Sequence, residues 1–187
     1  MQREVTFAGF GGQGIMTAGK LLALAGMAEG KEVAWIPSYG PEMRGGTAYC
    51  TVVIADRLIG SPVVNDPENV FVFNRPSLEK FGPRVRPGGE LLINSSLIDI
   101  RSDRQDIVQV CVPCNDIANA LKNGRSINLV GLGAFVARTG MVGLDTQRAV
   151  LEQEFGKKGK GEALRAASEV FEAGVRAVLE GQGAKTP

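Results

Sequence analysis

The residues whose types and spacing point to chemistry are glycines. Gly9-x-Gly11-x-x-Gly14 stands where an apolar run, Val5 to Ala8, gives way to a helical pattern beginning at Ile15. Glycines at this spacing let a backbone turn tightly and aim its N–H groups, with the positive end of the helix that follows, at an anion. The expected chemistry is phosphate binding by the backbone of Gly9, Gly11, Gly12 and Gly14, with Gln13 adding side-chain donors. A strand-to-helix turn shaped by packing alone satisfies the same letters. Gly14-x-x-x-x-Gly19-Lys20 also approaches a nucleotide-hydrolase loop, but Leu21 stands where a hydroxyl must hold magnesium.

A second segment, Ser38 to Gly46, reads S-Y-G-P-E-M-R-G-G. It joins Ser38, Tyr39, Glu42 and Arg44 to glycines that free the backbone. Arg44 suits a phosphate or carboxylate, and an ion pair with Glu42 is the plainer alternative. Because the segment follows a predicted strand directly, it is expected to lie beside the glycine turn.

What is missing bounds the chemistry further. The chain has no histidine, which removes the commonest general base, the Ser-His and Cys-His nucleophile pairs and the commonest metal ligand. Cys111-x-x-Cys114 lacks the second ligand pair of a zinc site, and three cysteines are too few for an iron–sulfur cluster. A nicotinamide site expects an acid about 20 residues after the glycines, at the end of the second strand. Here Glu32 begins that strand and Pro37-Ser38 ends it. No catalytic residue and no metal ligand is assigned.

Positioning these residues requires an α/β framework. Glu4 to Ala8 reads as a strand, Ile15 to Gly30 as a helix and its stop, and Glu32 to Ile36 as a second strand, the proportions of a βαβ unit. Thr47 to Ala55 is rich in β-formers, and Leu58 to Val64 fits a short return strand, giving a β-hairpin insertion near 47–64. Continuous apolar strands follow at 69–73, 90–94 and 107–112, with a helix from Pro76 to about Val85 between the first two; uninterrupted Val/Ile/Leu runs suit strands covered on both faces. Helices are expected at 126–138, apolar nearly all round, at 145–155, and over a last amphipathic stripe from Leu164 to Leu179. Gly156 to Gly161 is a polar break, and the tail 181–187 is read as flexible. The expected fold is a single open, mostly parallel sheet with helices on both faces and a helical C-terminal region, one domain over 1–187.

The whole-chain numbers fit. A chain of 187 residues that is 44% hydrophobic and 22% charged is long enough to bury a core. Its net charge of +1, without a basic patch interleaved with aromatics, gives no support for nucleic-acid binding. The longest apolar stretch, Ile15 to Ala28, is interrupted by Lys20 and is shorter than the roughly 20 residues of a membrane span. Odd cysteines and the absence of a signal-like N-terminus lead to the expectation of a soluble cytoplasmic protein.

Taken together, G-F-G-G-Q-G-I at 9–15, S-Y-G-P-E-M-R-G-G at 38–46, the T-V-V-I-A-D strand, Ser61-Pro62 and G-G-E-L-L-I-N-S-S at 88–96 resemble the gamma subunit of 2-oxoacid:ferredoxin oxidoreductases. The S-Y-G-P-E-x-R-G-G form is most similar to the 2-oxoglutarate and general 2-oxoacid members. The resemblance implies a hetero-oligomeric enzyme that oxidatively decarboxylates a 2-oxoacid, passing electrons to ferredoxin and the acyl group to coenzyme A. It further implies thiamine diphosphate and iron–sulfur clusters in partner subunits only. This chain would complete a shared coenzyme A site through Gly9, Gly11, Gly12, Gln13, Gly14, Ser38, Tyr39 and Arg44, and would be inactive alone, with homodimerisation open to the isolated chain. Two other readings stand beside it: a stand-alone nucleotide-binding oxidoreductase with a variant Rossmann turn, and a purely structural assembly subunit.

Overall fold

The computed structural model describes residues 1–38, 47–156 and 161–181. The expectations placed on Tyr39, Arg44 and the rest of 39–46, on 157–160 and on the tail beyond 181 lie outside the described residues. Strand β1 (Gln2–Phe10) leads through the glycine turn into α1 (Ile15–Ala28) and then β2 (Glu32–Ser38). After β3 (Thr47–Ala55) come β4 (Asn69–Val72), α2 (Arg75–Phe81) with a 3-10 turn Gly82–Arg84, β5 (Glu90–Asn94) and β6 (Val108–Val112). Four helices close the described chain: α3 (Cys114–Ala120), α4 (Ile127–Thr139), α5 (Leu144–Gly156) and α6 (Gly161–Leu179).

The strands form one open sheet in the order β2-β3-β1-β4-β5-β6. β1, β4, β5 and β6 run parallel, and β3 runs antiparallel to both β1 and β2. The mostly parallel α/β sheet is therefore as expected, but β1 and β2 are not neighbours: β3 is inserted between them. The return strand expected over Leu58 to Val64 does not form. Both edges of β3 are already taken, by β1 and by β2, so no ladder remains for it. Leu58 and Val63 are accordingly exposed, and the antiparallel hairpin of this region is β2 with β3.

Side-chain alternation divides the sheet between two cores. Val5, Phe7, Cys50, Val52, Phe71, Phe73, Leu92 and Val110 face α1, α4 and α6. Ala8, Val70, Val72, Leu91 and Ile93 face the other way, against Leu78 and Phe81 of α2. The helix that is apolar all round, α4, lies inside the chain. Gly131 packs on the stacked rings of Phe71 and Phe73, Phe135 meets Phe7 edge-on, and the far side of the helix contacts α6. That last contact is backbone on backbone: a Cβ on Gly133 would lie 2.1 Å from the Phe171 carbonyl oxygen, and one on Gly174 would lie 2.0 Å from that of Val130. Among the described residues, no helix is long and apolar enough to cross a membrane.

Candidate functional site at the carboxyl end of the first strand

Connections leave β1 and β4 in opposite directions. From β1 the chain passes over one face, through α1, to β2; from β4 it passes over the other face, through α2, to β5. Where neighbouring parallel strands send their crossovers to opposite sides, a crevice opens at their carboxyl ends, and open α/β sheets bind ligands there. The glycine turn lies at that switch point.

Each glycine of the turn answers a different demand. Gly9 leaves space for Gln13 to fold back, since a Cβ there would fall 2.6 Å from Gln13 Oε1 and 2.9 Å from Ile15 Cδ1. Among the described residues, no atom lies within 4 Å of where a Cβ on Gly11 or Gly12 would stand, and Gly12 has φ +92°. Gly14, at φ 75°, is the N-cap of α1 and has no side chain to satisfy the amides that follow. Those first-turn N–H groups have no intrahelical partner. With no acidic residue in the first turn either, the positive end of the helix field stays uncompensated. Among the described residues, the turn presents first-turn amides without partners and a helix N-terminus without an acidic neighbour in its first turn, which suits a phosphate.

Gln13 takes a different place from the one expected. Its Oε1 accepts from Phe10 N at 2.6 Å and from Asn74 Nδ2 at 3.4 Å, while its Nε2 donates to the Phe73 carbonyl at 3.4 Å. Its N–H bonds the Phe10 carbonyl at 3.2 Å and closes the turn. The carboxamide is thus committed to joining β1 to β4 and shapes the turn from within.

Two carboxamides beyond it were not singled out from sequence. Asn74 caps α2 by accepting from Ser77 N at 2.9 Å. Buried Asn94 donates to the Phe73 carbonyl at 3.4 Å and to Asn115 Oδ1 at 2.8 Å, and accepts from Cys114 N at 3.1 Å. Asn74-Arg75-Pro76-Ser77 carries a readable cap signal, asparagine before proline in the first turn. Nothing local marks Asn94.

The 38–46 segment departs and returns at the same end of the sheet. Ser38 ends β2 opposite Tyr49, and Tyr49 is opposite Ala8, so Ser38 sits two strands from β1, roughly 10 Å away. Thr47, where the chain re-enters the sheet, pairs with Phe10 itself. The inserted β3 thus separates Ser38 from the glycine turn while its own first residue adjoins that turn. The same insertion places the end of β2 one strand farther from the glycines than a dinucleotide fold requires, and no acid stands there.

The cysteines form no redox pair. All three are free; Cys111 is half-buried on the α2 side of the sheet, whereas Cys114 is buried in the opposite core at the start of α3. Burial pushes the Cys50 thiol up to about 12 and raises that of Cys114 as well. Among the described residues, no group of His, Cys, Asp or Glu could hold a metal. A concavity of about 300 Å³ at the opposite end of β1 is lined by Met1, Arg3, Glu29, Lys31 and Asp56. Its charged groups are committed to partners, Lys31 and the Met1 amine to Asp56, Arg3 to Glu68, and Glu29 to Gly143 N. The glycine turn is the better candidate.

A family model described as pyruvate ferredoxin/flavodoxin oxidoreductase matches residues 4–177. Ketoisovalerate oxidoreductase subunit VorA of Methanothermobacter marburgensis is 39% identical over 182 residues, covering 96% of this chain and 38% of the relative. The chain therefore spans under two fifths of the length of that relative. The 2-oxoglutarate synthase subunit KorC of the same organism is 30% identical over 191 residues, covering 97% of this chain and all of the relative, 100%. The gamma subunit of a keto/oxoacid ferredoxin oxidoreductase from Geobacter sulfurreducens superposes with a TM-score of 0.85 at 25% identity, covering 96% of this chain and 98% of that one. A 2-oxoglutarate:ferredoxin oxidoreductase from Magnetococcus marinus, with 2-oxoglutarate, coenzyme A and succinyl-CoA bound, superposes with a TM-score of 0.87 at 26% identity over 96% of this chain and 31% of that one.

Proposed function

The chain belongs to the pyruvate ferredoxin/flavodoxin oxidoreductase family, and from that premise we propose that it is the gamma subunit of a 2-oxoacid:ferredoxin oxidoreductase. The complex would convert a 2-oxoacid, coenzyme A and oxidised ferredoxin to acyl-coenzyme A, carbon dioxide and reduced ferredoxin. This chain contributes one wall of the coenzyme A site and the contacts that assemble the complex. Thiamine diphosphate and the iron–sulfur clusters reside in partner subunits, a division that agrees with a chain lacking histidine and holding three cysteines.

The observation that carries the reading is the uncapped N-terminus of α1 behind Gly11 and Gly12, open at the β1/β4 switch point. Its amides hold a phosphate of coenzyme A, and Gln13 keeps the turn in shape for it. Ser38, Tyr39 and Arg44 contribute to the same site in this reading, with Arg44 supplying a positive charge. The Magnetococcus protein, with coenzyme A and succinyl-CoA bound, supports that choice of ligand. A stand-alone dinucleotide enzyme is disfavoured by the insertion of β3 between β1 and β2.

The test is native purification of the affinity-tagged full chain. The expected result is co-purification of thiamine- and cluster-containing chains with coenzyme A-dependent oxidation of a 2-oxoacid, and no such activity from the isolated chain. Recovery as a lone active species would contradict the proposal.

A further inference from the structure

At the glycine turn the N-terminus of α4 meets that of α1, and the side chain between them has no partner among the described residues. Asn128 is the second residue of α4 and is only 6% exposed. A Cβ built on Gly14 would fall 2.6 Å from Asn128 Cγ and 2.7 Å from its Nδ2, so the carboxamide lies against the bare Cα that starts α1. The other carboxamides of this end, those of Gln13, Asn74 and Asn94, are all hydrogen-bonded. That of Asn128 makes no hydrogen bond among the described residues.

A buried amide without a partner costs free energy, and the residues around it in α4 are apolar and well packed. Its polar atoms are not sealed in. The fully enclosed unpartnered side-chain atoms among the described residues are Trp35 Nε1, Ser77 Oγ and Gln147 Oε1. The carboxamide of Asn128 therefore keeps some contact with solvent beside Gly14, where a bound group can complete it. Charge specifies that group. Neither helix has an acidic residue in its first turn, α4 has no side-chain cap bond, and Lys122 and Arg125 stand exposed just before it. Two uncompensated helix N-termini with a free carboxamide between them suit phosphate oxygens.

We propose that Asn128 is a phosphate-binding residue of this site, its Nδ2–H donating to an oxygen of the phosphate seated on the first-turn amides of α1. The inference rests on the coenzyme A reading above. It also gives Gly14 a second reason to be glycine: a side chain there would displace Asn128.

The test compares Asn128→Asp, Asn128→Ala and Gly11→Asp in the assembled oxidoreductase, with coenzyme A as the varied substrate. Asn128→Asp keeps the shape but replaces the donor with a negative charge, and is expected to raise KM for coenzyme A by about tenfold or more. Asn128→Ala, which cannot clash, is expected to raise it roughly fivefold. KM for the 2-oxoacid and kcat at saturating coenzyme A should stay near wild type. The thermal midpoint of the Asn128→Ala chain should not fall sharply, because no internal hydrogen bond is lost. Unchanged KM values in both Asn128 variants beside a raised value in Gly11→Asp would overturn the role of Asn128 and leave the coenzyme A reading standing. Unchanged values in all three would overturn both. A loss of stability without a change in KM would make Asn128 structural and would also overturn the inference.

Discussion

The backbone N–H of Phe10 donates to the side-chain Oε1 of Gln13 at 2.6 Å, so the last residue of β1 is held by the residue that closes its own turn. The same carboxamide reaches the Phe73 carbonyl and Asn74 at the end of β4. One side chain thus fixes both the shape of the glycine turn and its position against the neighbouring strand. Gln13→Ala should cost about 1 kcal/mol, the net worth of such bonds, and raise KM for coenzyme A several-fold as the amides lose their alignment. Gln13→Glu keeps the acceptor for Phe10 but loses the donor to Phe73 and adds a negative charge. It should therefore impair coenzyme A use more than Gln13→Ala while destabilising the chain no more. Denaturant melts paired with steady-state kinetics check both expectations.

At the α4–α6 crossing, backbone packs directly on backbone. A methyl group on Gly174 would stand 2.0 Å from the Val130 carbonyl oxygen, and backbone cannot turn aside as a side chain can. Gly174→Ala should lose about 3 kcal/mol or more, at the upper end of overpacking costs. Gly161→Ala, where the new carbon meets no atom of the described residues within 4 Å, should change stability by about 0.5 kcal/mol or less. Urea midpoints of the two variants provide the comparison.

Local patterns were legible in the sequence and long-range pairings were not. The turn from β1 into α1, the bounds of β5 and the buried character of α4 all follow from nearby apolar periodicity and glycine placement. The insertion of β3 between β1 and β2 does not, because a strand's alternation fixes its faces but not its neighbours. The composition of Leu58 to Val64 suits a strand, yet both edges of β3 are occupied, by β1 and by β2. Gln13 looked like a ligand-binding side chain from its place among glycines. It turns inward because Gly9 leaves space for it and Phe73 and Asn74, far along the chain, offer partners. Asn128 carried no signal, since its meaning depends on α4 docking against Gly14.

The thiols should separate cleanly. Half-buried Cys111 should react with a thiol reagent in the native chain, and buried Cys50 and Cys114 only on unfolding. With the Cys50 thiol pushed up to about 12, its thiolate fraction at pH 8 is on the order of one in ten thousand. Raising the pH to 9 should not expose it. Labelling kinetics with and without denaturant test this, and three fast thiols in the native chain would contradict the packing described.

Acid sensitivity should map in part to Asp56. Lys31 bonds its carboxylate, the Met1 amine adds a second contact, and together they lower it from the ordinary 3.8 to about 2. A depressed carboxyl stabilises the fold above its unfolded value, and that contribution is lost as pH falls from about 4 through about 2. Asp56→Asn should flatten the decline of thermal midpoint over that window. A decline as steep as wild type would show that the contact contributes nothing in solution.

The central claim, that the glycine turn holds a phosphate of coenzyme A, is tested most directly by Gly11→Asp in the assembled oxidoreductase. A Cβ on Gly11 would meet no atom of the described residues within 4 Å, so the fold should tolerate a side chain there while it sets a carboxylate beside the first-turn amides of α1. The predicted result is a KM for coenzyme A raised about tenfold or more, with subunit assembly intact and KM for the 2-oxoacid unchanged. A KM for coenzyme A indistinguishable from wild type in a fully assembled complex would contradict the claim and leave the turn a structural one.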